Sequence, residues 1–511
     1  MKQPAGQKKV IIIGAGISGL SAGCYLQRCG FKTEIFEKHD LPGGLCTSWA
    51  VGDYTFDGCL QWLLGSDQGN SFYKMWNEIL DMPAIKFINH TYRILLEVEK
   101  NENKYGNKLF YYYNDLNRFE QYLLDLSPED GRLIRDFISD VRYLQGFDLP
   151  PVLKDEGWWK NLKIRLGMVH YTGILFKFLK LKNETNKTFA RKFKSPFLAE
   201  VFDQLYDQFE VNMLVVMFPM AAYDLQSAGY PEGGSLEFAR KIEQSYLSAG
   251  GLIHYKTPVL KINAEDKAAN SITVRNNQVH QADYYISSCD WKFTIQQLLD
   301  SKYDSRRQKL LIEHSEFIPY FSSIQCSFGV KCTLHELPHF TRFPLDTPID
   351  SPDGMIYHRF EVHVFNYDRT LAPENKTCIV VNFYTEHSAY WIDLRKTKRV
   401  EYRSRKQEFI QQVKSILAEK IPHFDEHLEV EDMTTPATYL RYTNNWLGST
   451  QGWLPHQNIL RSTPVSLNIP GLDNVFLASH WNQPGGGLPI AISKGREVAA
   501  LLCKKEGVKF L

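Results

Sequence analysis

The hydrophobic pattern of the chain begins with an uninterrupted aliphatic run, Val10 to Ile13, of the kind that forms a strand buried on both faces of a parallel sheet. After a glycine-rich interval, Ile17, Leu20 and Cys24 recur at spacings of three and four residues, which predicts an amphipathic helix. A second short segment, Thr33 to Phe36, predicts another strand. The chain therefore begins with a strand, a turn, a helix and a strand, the order that starts an α/β domain with a parallel sheet.

Helical and extended patterns alternate through the rest of the chain. From about Leu60 to Ala228, helix-like periodicity dominates. Beyond it the pattern predicts a helix over Leu236 to Leu247, a strand over Leu252 to Tyr255, a hairpin turning at Asn276 and Asn277, strands over Ala282 to Cys289, Phe321 to Val330 and Thr377 to Tyr384, a charged helix over Tyr402 to Leu417, and a last strand over Val475 to Ala478 followed by a helix with Ala491, Gly495, Val498 and Leu502 on one face. The later strands alternate well enough to predict a second, mixed sheet.

Size and charge narrow the classes of protein. A chain of 511 residues exceeds what one hydrophobic core usually supports, so we expect two interleaved domains. Its net charge is +1, from 59 basic and 58 acidic residues, which gives no electrostatic basis for nucleic acid as a partner. Aromatic residues make up 13% of the chain, enough to fill a large core or also to line a long apolar substrate tunnel.

The nine cysteines contain no C-x-x-C pair, and the amino-terminal stretch MKQPAGQKK has no apolar segment. We therefore expect no secretory signal, disulfide framework or zinc site, and a reducing, cytoplasmic setting. The longest uncharged run that could be taken for a membrane segment is Val211 to Tyr223. It is far shorter than the ~20 residues of a membrane-spanning helix. His335, His339, His358 and His363 match no metal-ligand spacing, so we expect ordinary surface or core histidines and no metal site.

The first candidate for chemistry is the turn after the first predicted strand, where Gly14, Gly16 and Gly19 follow at G-x-G-x-x-G spacing with Ala15 and Ser18 between them. In a dinucleotide-binding turn the first glycine permits the turn, the second lets the backbone approach a pyrophosphate, and the third lets the helix pack closely. The free N–H groups of the helix then face that pyrophosphate. Such a motif alone is weak evidence, but its position between a strand and a helix predicts a dinucleotide site.

The second predicted strand ends on Glu37, where the dinucleotide fingerprint has an acid that binds a ribose hydroxyl. An acid there argues against NADP, whose additional phosphate it would repel, and leaves FAD and NAD open. Glu37 and Lys38 are followed, after four residues, by Gly43, Gly44 and Leu45. The pattern E-K-x-x-x-x-G-G resembles the flavoprotein superfamily of amine oxidases and phytoene desaturases. That resemblance implies FAD.

Three later segments resemble the phytoene desaturase, carotenoid isomerase and retinol saturase branch of this superfamily. They are Tyr54 to Gly58 (where the family's F-D-x-G is replaced by F-D-G followed by Cys59), Tyr230 to Val259 (Y-P-x-G-G, helix, G-G-x-I), and Gly471 to Pro489 (P-G-G-G-x-P). The resemblance implies that backbone near Val259 reads the adenine and that Gly486, Gly487, Leu488 and Pro489 hold the flavin ring. His480 and Trp481 stand where many relatives have other residues, and we expect them near the ring.

The resemblance implies an α/β fold: a Rossmann-like FAD-binding domain of residues 1–60, 229–290 and 462–511, interleaved with a mixed-sheet and helical substrate domain of residues 61–228 and 291–461. It also implies an oxidoreductase that desaturates, saturates or isomerises an apolar isoprenoid or polyene by hydride exchange at flavin N5. With a single G-x-G-x-x-G in the chain, electrons must pass through the substrate, a diffusible acceptor or transient NAD(P)H. An amine oxidase and a non-catalytic binder of lipidated partners, of the GDP-dissociation-inhibitor type, remain alternatives on fold-level analogy.

The segment Trp158 to Lys182 combines an apolar helical stripe with six basic residues. This composition suits a helix that contacts lipid headgroups and admits a water-insoluble substrate. Because Ile164, Met168 and Leu175 lie off the stripe, a helix half buried within the protein is an equal alternative. Peripheral membrane contact is therefore one of two expectations for this segment.

Overall fold

The computed structural model describes residues 8–146, 181, 183–205, 210–303, 318–454 and 465–511. Its strands are β1 (Lys9–Ile13), β2 (Lys32–Phe36), β3 (Ser48–Val51), β4 (Tyr54–Asp57), β5 (Leu63–Leu64), β6 (Phe87–Ile88), β7 (Tyr92–Glu97), β8 (Leu109–Tyr113), β9 (Ala228–Pro231), β10 (Leu252–His254), β11 (Val259–Glu265), β12 (Ala268–Val274), β13 (Val279–His280), β14 (Tyr284–Ser287), β15 (Ser322–Val330), β16 (Phe340–Asp350), β17 (Ile356–Val364), β18 (Thr377–Thr385), β19 (Leu428–Thr434) and β20 (Val475–Leu477).

Its α-helices are α1 (Ile17–Arg28), α2 (Ser71–Asn77), α3 (Leu116–Leu126), α4 (Gly131–Gln145), α5 (Asn186–Ala190), α6 (Pro196–Asp203), α7 (Met213–Asp224), α8 (Gly234–Ser248), α9 (Ser388–Thr397), α10 (Arg399–Lys420), α11 (Phe424–His427), α12 (Pro436–Thr443) and α13 (Gly487–Glu506). Short helical turns cover Met82–Ala84, Pro128–Asp130, Arg275–Asn277, Phe293–Leu298, Trp446–Gly448 and His480–Asn482.

The central sheet is parallel, with strand order β10-β2-β1-β14-β20. Alternate residues of β1 enter two different cores: Val10 and Ile12 pack with helices α1, α8 and α13, while Ile11 and Ile13 pack against the hairpin of β11, β12 and β13. Burial on both faces explains why β1 is continuously aliphatic. This Rossmann-like layer arrangement agrees with the predicted fold class, and β1, α1 and β2 match the predicted start of the chain to within a residue or two.

The second large sheet is mixed and has seven strands in the order β19-β15-β18-β17-β16-β7-β8. Neighbouring strands are antiparallel except for the pair of β16 and β7. On one face, Phe328 and Phe383 of the sheet pack against helices α9 and α10, and Phe409 of α10 belongs to the same core. The opposite face of the sheet, formed by β15, β17 and β18, lines a cavity. The glycine turns of the central sheet line the same cavity from the other side.

The stretch between Leu60 and Ala228 is less uniformly helical than its periodicity predicts. Strands β7 and β8 pair with each other and extend the seven-stranded sheet, because β7 aligns with β16 through Leu95 and Thr341. The uncharged run that begins at Val211 includes helix α7, which contains Pro219. Except for Leu181, the segment Trp158 to Lys182 lies outside the described residues. Within the described residues, no helix is long and apolar enough to cross a membrane.

Candidate functional site

A cavity of about 440 Å³ lies at the carboxyl ends of β1, β2 and β14. In doubly wound α/β folds this edge of the sheet is where ligands bind. The cavity continues to the seven-stranded sheet, so that one space is bounded by glycine turns at one side and by strand side chains at the other. The predicted site residues that line it are Gly14, Gly16, Ser18, Glu37, Lys38, Gly43, Gly44, Leu45, Val259, His480, Gly486, Gly487, Leu488 and Pro489.

The three glycines of the first turn differ in their surroundings. Gly14 has φ +98°, a conformation that favours glycine, and a Cβ there would lie 2.7 Å from Ser288 Oγ. A Cβ on Gly19 would lie 2.1 Å from the carbonyl oxygen of Gly14, so helix α1 packs directly on the turn. A Cβ on Gly16 would meet nothing within 4 Å. Gly14 and Gly19 are thus required by the protein's own packing, whereas Gly16 leaves open space in the cavity.

Helix α1 begins at the cavity without a side-chain cap. Its N-cap is Gly16, and its first turn contains no acidic residue. The N-terminal N–H groups of a helix need acceptors, and uncapped ones form a ready anion site. Helix α13 repeats this arrangement, with Gly486 as an uncapped N-cap that also lines the cavity. Two uncapped helix N-termini therefore meet at one cavity.

Glu37 is buried at the end of β2, with 7% of its surface exposed. Its Oε2 accepts a hydrogen bond from the N–H of Ala15 (2.7 Å), and its Oε1 accepts one from the N–H of His39 (2.8 Å). Burial raises the pKa of Glu37, although these N–H groups favour the charged form. The acid thus braces the glycine turn and retains lone pairs that face the cavity.

The second glycine pair is tied to the first turn by backbone. Gly43 donates its N–H to the carbonyl of Ala15 (2.8 Å) and forms a parallel bridge with Gly16. Gly43 and Gly44 have φ of +100° and +63°. Lys38 lies beside them, with its Nζ donating to Asn444 Oδ1 (2.6 Å), and Asn444 itself lines the cavity. Gly43 and Gly44 therefore contribute only backbone atoms to this part of the cavity wall.

The closing glycines and His480 form the opposite rim. A Cβ on Gly486 would lie 1.5 Å from the carbonyl oxygen of Gln451, so no other residue fits there. His480 is half-buried, and the burial of its ring lowers its pKa to about 4. Its Nε2 atom is buried and has no hydrogen-bond partner among the described residues. Since buried polar atoms are normally paired, this atom is a candidate contact for a ligand in the cavity that His480 lines.

Three predicted residues lie behind the cavity wall. Ala15 and Gly19 serve the turn through the contacts described above. Trp481 is 1% exposed, packs edge-on against Trp453 with ring centres 4.8 Å apart, and donates its indole N–H to Asn445 Oδ1 (3.2 Å). Trp481 therefore positions the segment that carries His480.

Sequence reasoning missed several residues of the cavity. Ser288, just after β14, donates its hydroxyl to the carbonyls of Ile13 and Gly14, both at 2.9 Å. Asp57 is 4% exposed and accepts from the N–H groups of Cys59 and Ser235, which joins the F-D-x-G segment to the start of α8. Burial raises the pKa of Asp57. His363, expected to be an ordinary histidine, also lines the cavity. In the described part of the chain, no group of three or more His, Cys, Asp or Glu residues could hold a metal ion.

The residues fit a dinucleotide flavin. Two uncapped helix N-termini suit its phosphates, a buried carboxylate at Glu37 suits a ribose hydroxyl, and the open space beside Gly16 admits its pyrophosphate. His480, whose Nε2 atom has no hydrogen-bond partner among the described residues, lines the same cavity. All these groups belong to the wall of the same cavity or to the turns that shape it.

Comparison with curated proteins identifies relatives along nearly the whole chain. A phytoene desaturase of Phycomyces blakesleeanus is 24% identical over 538 residues, covering 98% of this chain and 86% of the relative. A 4,4'-diapophytoene desaturase (4,4'-diapolycopene-forming) of Methylomonas sp. is 22% identical over 533 residues, covering 99% and 97%. The chain is therefore similar to these enzymes over both of its sheets.

Comparison with solved structures supports the fold. The crystal structure of an oxidoreductase from Methanosarcina mazei matches with a TM-score of 0.58 and 15% identity, covering 96% of this chain and 100% of that one. A putrescine oxidase matches with a TM-score of 0.58 and 14% identity, covering 98% and 99%. The family model described as flavin containing amine oxidoreductase matches residues 17–503. The chain belongs to this family of flavoproteins, and it is an FAD-dependent oxidoreductase.

Proposed function

We propose that the protein oxidises, reduces or isomerises C–C and C=C bonds of an apolar isoprenoid or polyene lipid. The observation that supports this proposal most is the single cavity that joins the glycine turns to the seven-stranded sheet. A substrate in that space would lie beside the flavin. The similarity to two carotenoid desaturases over at least 98% of this chain favours a polyene over a small amine.

We propose separate roles for two groups of residues: one binds FAD, and the other holds the substrate and excludes water. We propose that residues 1–60, 229–290 and 462–511 form the FAD-binding domain, and residues 61–228 and 291–461 the substrate domain. The glycine turns, Glu37 and backbone near Val259 would hold the cofactor. Bound FAD would supply hydride exchange at its N5 atom with a C–H group of the substrate.

The cavity wall between the glycine turns and the sheet contains apolar side chains that suit a lipid. Leu60 and Leu63 are buried there, and Trp62 packs against Tyr223 with ring centres 5.6 Å apart. Burial of apolar surface contributes about 25 cal/mol per Å², so a long hydrocarbon needs no charged anchor to bind. The same wall keeps water from the reacting bond.

The electron partner and the membrane contact are further parts of this proposal. With one dinucleotide motif in the chain, we propose that electrons leave or enter through the substrate, a diffusible acceptor or transient NAD(P)H. We also propose that Trp158 to Lys182 admits substrate from a membrane surface, on the basis of its composition. Sedimentation with anionic vesicles, compared with neutral ones, tests this contact.

The reaction is tested with purified, FAD-loaded protein under anaerobic conditions. Solubilised carotenoid precursors are added to the oxidised form and unsaturated carotenoids or retinoids to the reduced form, and the flavin absorption bands are followed. We expect a polyene to change the flavin's redox state or to be recovered as an isomer. Rapid flavin bleaching by putrescine or benzylamine, with no response to any polyene, would instead identify an amine oxidase.

A further inference from the structure

The seven-stranded sheet presents alternating residues of β15, β17 and β18 to the cavity. Its other face is apolar, with Ile324, Val362 and Val381 in the core over α9 and α10. An apolar tunnel would need apolar residues on the cavity face as well. Five of the six strand residues on that face are instead polar: Ser323, Gln325, His363, Asn382 and Tyr384, with Val380 as the exception.

A row of polar side chains crosses four strands at this face. Gln325 of β15 pairs in register with Asn382 of β18, and Arg342 of β16 pairs with Glu361 of β17. The guanidinium of Arg342 donates to Glu361 Oε2 from Nη2 (2.5 Å) and from Nε (3.1 Å). Burial works to raise the pKa of Glu361, but Arg342 and His363 outweigh it and lower the pKa to about 2. Glu361 is therefore ionised and paired with Arg342, and it lies behind the residues that line the cavity.

Some members of the wall are already satisfied by the protein. Gln325 donates its amide to the carbonyl of Asp57 (3.0 Å) and to Ser327 Oγ (3.2 Å). Ser323 donates to the hydroxyl of Tyr439 (3.0 Å). These contacts hold the sheet against β4 and α12, and they use the amide N–H groups of Gln325 and the hydroxyl donor of Ser323.

Three other side chains keep unused hydrogen-bonding capacity. The amide of Asn382 makes no hydrogen bond among the residues that the structure describes, although it lines the cavity. The Nε2 atom of His363 lies 3.4 Å from Glu361 Oε1 and 3.2 Å from the amide nitrogen of Gln61. One ring nitrogen cannot donate to the carboxylate and accept from the amide at once, so one of these contacts is left incomplete.

We propose that the substrate carries a neutral oxygen function, a hydroxyl or a carbonyl, which Asn382, His363 and Gln61 bind. This inference rests on the proposed function and narrows its substrate class from hydrocarbons to oxygenated isoprenoids. A hydrocarbon in the same position would displace water from these polar groups and offer them no hydrogen bond in return. A site built around such groups discriminates strongly against an analogue that lacks the oxygen. A carboxylate in place of the neutral oxygen is disfavoured, because Arg342 is already paired with Glu361 and a buried charge needs a partner of its own.

Matched pairs of ligands that differ by one oxygen test the inference without turnover. FAD-loaded protein is titrated with all-trans-retinol and its deoxy hydrocarbon axerophtene, and with 1-hydroxylycopene and lycopene, while tryptophan fluorescence reports binding. We expect the alcohol of at least one pair to bind about tenfold or more tightly than its hydrocarbon. All-trans-retinoic acid, as a carboxylate, should bind more weakly than retinol.

Variants connect the preference to the residues. Asn382→Leu and His363→Leu should reduce the alcohol's advantage to near twofold, whereas Asn382→Ser, which replaces the amide by a hydroxyl, should retain part of it. Val380→Ile, on the same face, should change both ligands of a pair equally. Retained flavin absorption and melting temperature show that each variant is folded.

The possible failures separate the two proposals. Equal affinity within both pairs, an unchanged preference in both leucine variants, or tightest binding of retinoic acid would overturn the neutral-oxygen inference and leave polyene binding standing. If none of the four polyenes binds, the proposed function falls together with the inference.

Discussion

Glu37 and Ala15 join the end of one strand to the turn after another: the carboxylate Oε2 accepts the backbone N–H of Ala15 at 2.7 Å. The N–H of His39 donates to the other carboxylate oxygen, so a backbone donor fixes each of the two oxygens of Glu37. The side chain thereby shapes the glycine turn before any ligand arrives. A residue expected only to bind ribose also organises the protein's own backbone.

The first prediction follows from this double role. Glu37→Gln replaces one acceptor oxygen by an amide that opposes an N–H donor, and it removes the charge. Losing the carboxylate acceptor for a ribose hydroxyl, a contact made only in the FAD complex, costs about 1 to 3 kcal/mol, so the FAD dissociation constant should rise roughly 5- to 150-fold. Flavin fluorescence on titration of apoprotein measures this constant.

The matched control for Glu37 lies on the same strand. Glu34→Gln changes a carboxylate that pairs with Lys9 at 2.6 Å and does not line the cavity. That variant should bind FAD as the parent does. Equal FAD affinity of the Glu37 and Glu34 variants would show that Glu37 contributes nothing to the cofactor site.

A second prediction separates folding from binding within the glycine turn. Gly16→Ala places a methyl group in the open space of the cavity, and Gly16 has φ −68°, which alanine adopts without strain. The variant should fold with an unchanged melting temperature as apoprotein and bind FAD at least tenfold more weakly, because the methyl group occupies the cofactor's space. Gly19→Ala, whose Cβ would lie 2.1 Å from a carbonyl oxygen, should lose folded yield instead.

Gly146→Ala is a suitable control for the first of these variants. Gly146 follows α4 with φ −74°, and the nearest atom to its added Cβ is 3.7 Å away. It does not line the cavity, so neither stability nor FAD affinity should change greatly. Unaltered FAD binding by Gly16→Ala would contradict the placement of the cofactor over this turn.

The start of the fold could be read from sequence because its signals are local. The aliphatic run, the glycine spacing and the helical stripe of residues 9–36 each depend on neighbours within a turn or a strand, and β1, α1 and β2 lie where they were expected. Strand order, by contrast, depends on partners far along the chain. The pairing of β7 with β16 joins Leu95 to Thr341, and no local pattern in a largely helical region indicates it.

The polar wall of the cavity was missed for a related reason. In β18 the residues alternate, and Val381 and Asn382 point to opposite faces. Alternation shows that the two faces differ, but it does not show whether the polar face meets solvent or a ligand cavity. His363 has no spacing motif either, because its neighbour Gln61 lies about 300 residues away and approaches only through the fold.

A third prediction concerns pH and Asp290, which follows β14 and is 1% exposed. Burial raises its pKa from 3.8 to about 7, although the N–H of Phe293 donates to Oδ1 at 2.6 Å. Between pH 4 and 7 the unfolded state therefore binds fewer protons than the folded state, and this group's contribution to stability falls as pH rises. One pKa unit corresponds to about 1.4 kcal/mol, so the full effect is roughly 4 kcal/mol.

Asp290→Asn keeps an acceptor for Phe293 and cannot ionise. Its melting temperature relative to the parent should therefore rise as pH increases from 4 to 7 and level off above pH 7, where Asp290 is ionised in both the folded and the unfolded parent. Thermal unfolding of both proteins in the same buffers cancels the contribution of every other group. Parallel curves over this range would show that Asp290 keeps an ordinary pKa.

The last prediction uses His480, whose buried Nε2 atom lacks a partner among the described residues. Burial lowers the pKa of His480 to about 4, so the ring is neutral at pH 7. Trp291 offers a comparison, because its indole Nε1 is also buried without a partner in the described part of the chain, but Trp291 does not line the cavity. A buried polar atom left without a hydrogen bond costs about 1 to 3 kcal/mol, whichever residue carries it.

His480→Leu and Trp291→Phe should therefore behave alike without cofactor and differently with it. Each removes an unpaired polar atom, so neither apoprotein should lose more stability than its change in packing explains. FAD raises the melting temperature in proportion to its binding free energy. That rise should shrink in His480→Leu, because the contact to Nε2 is lost, and should stay at the parent value in Trp291→Phe. An equal rise in both variants would mean that Nε2 does not meet the cofactor, and its partner must then be sought in the substrate.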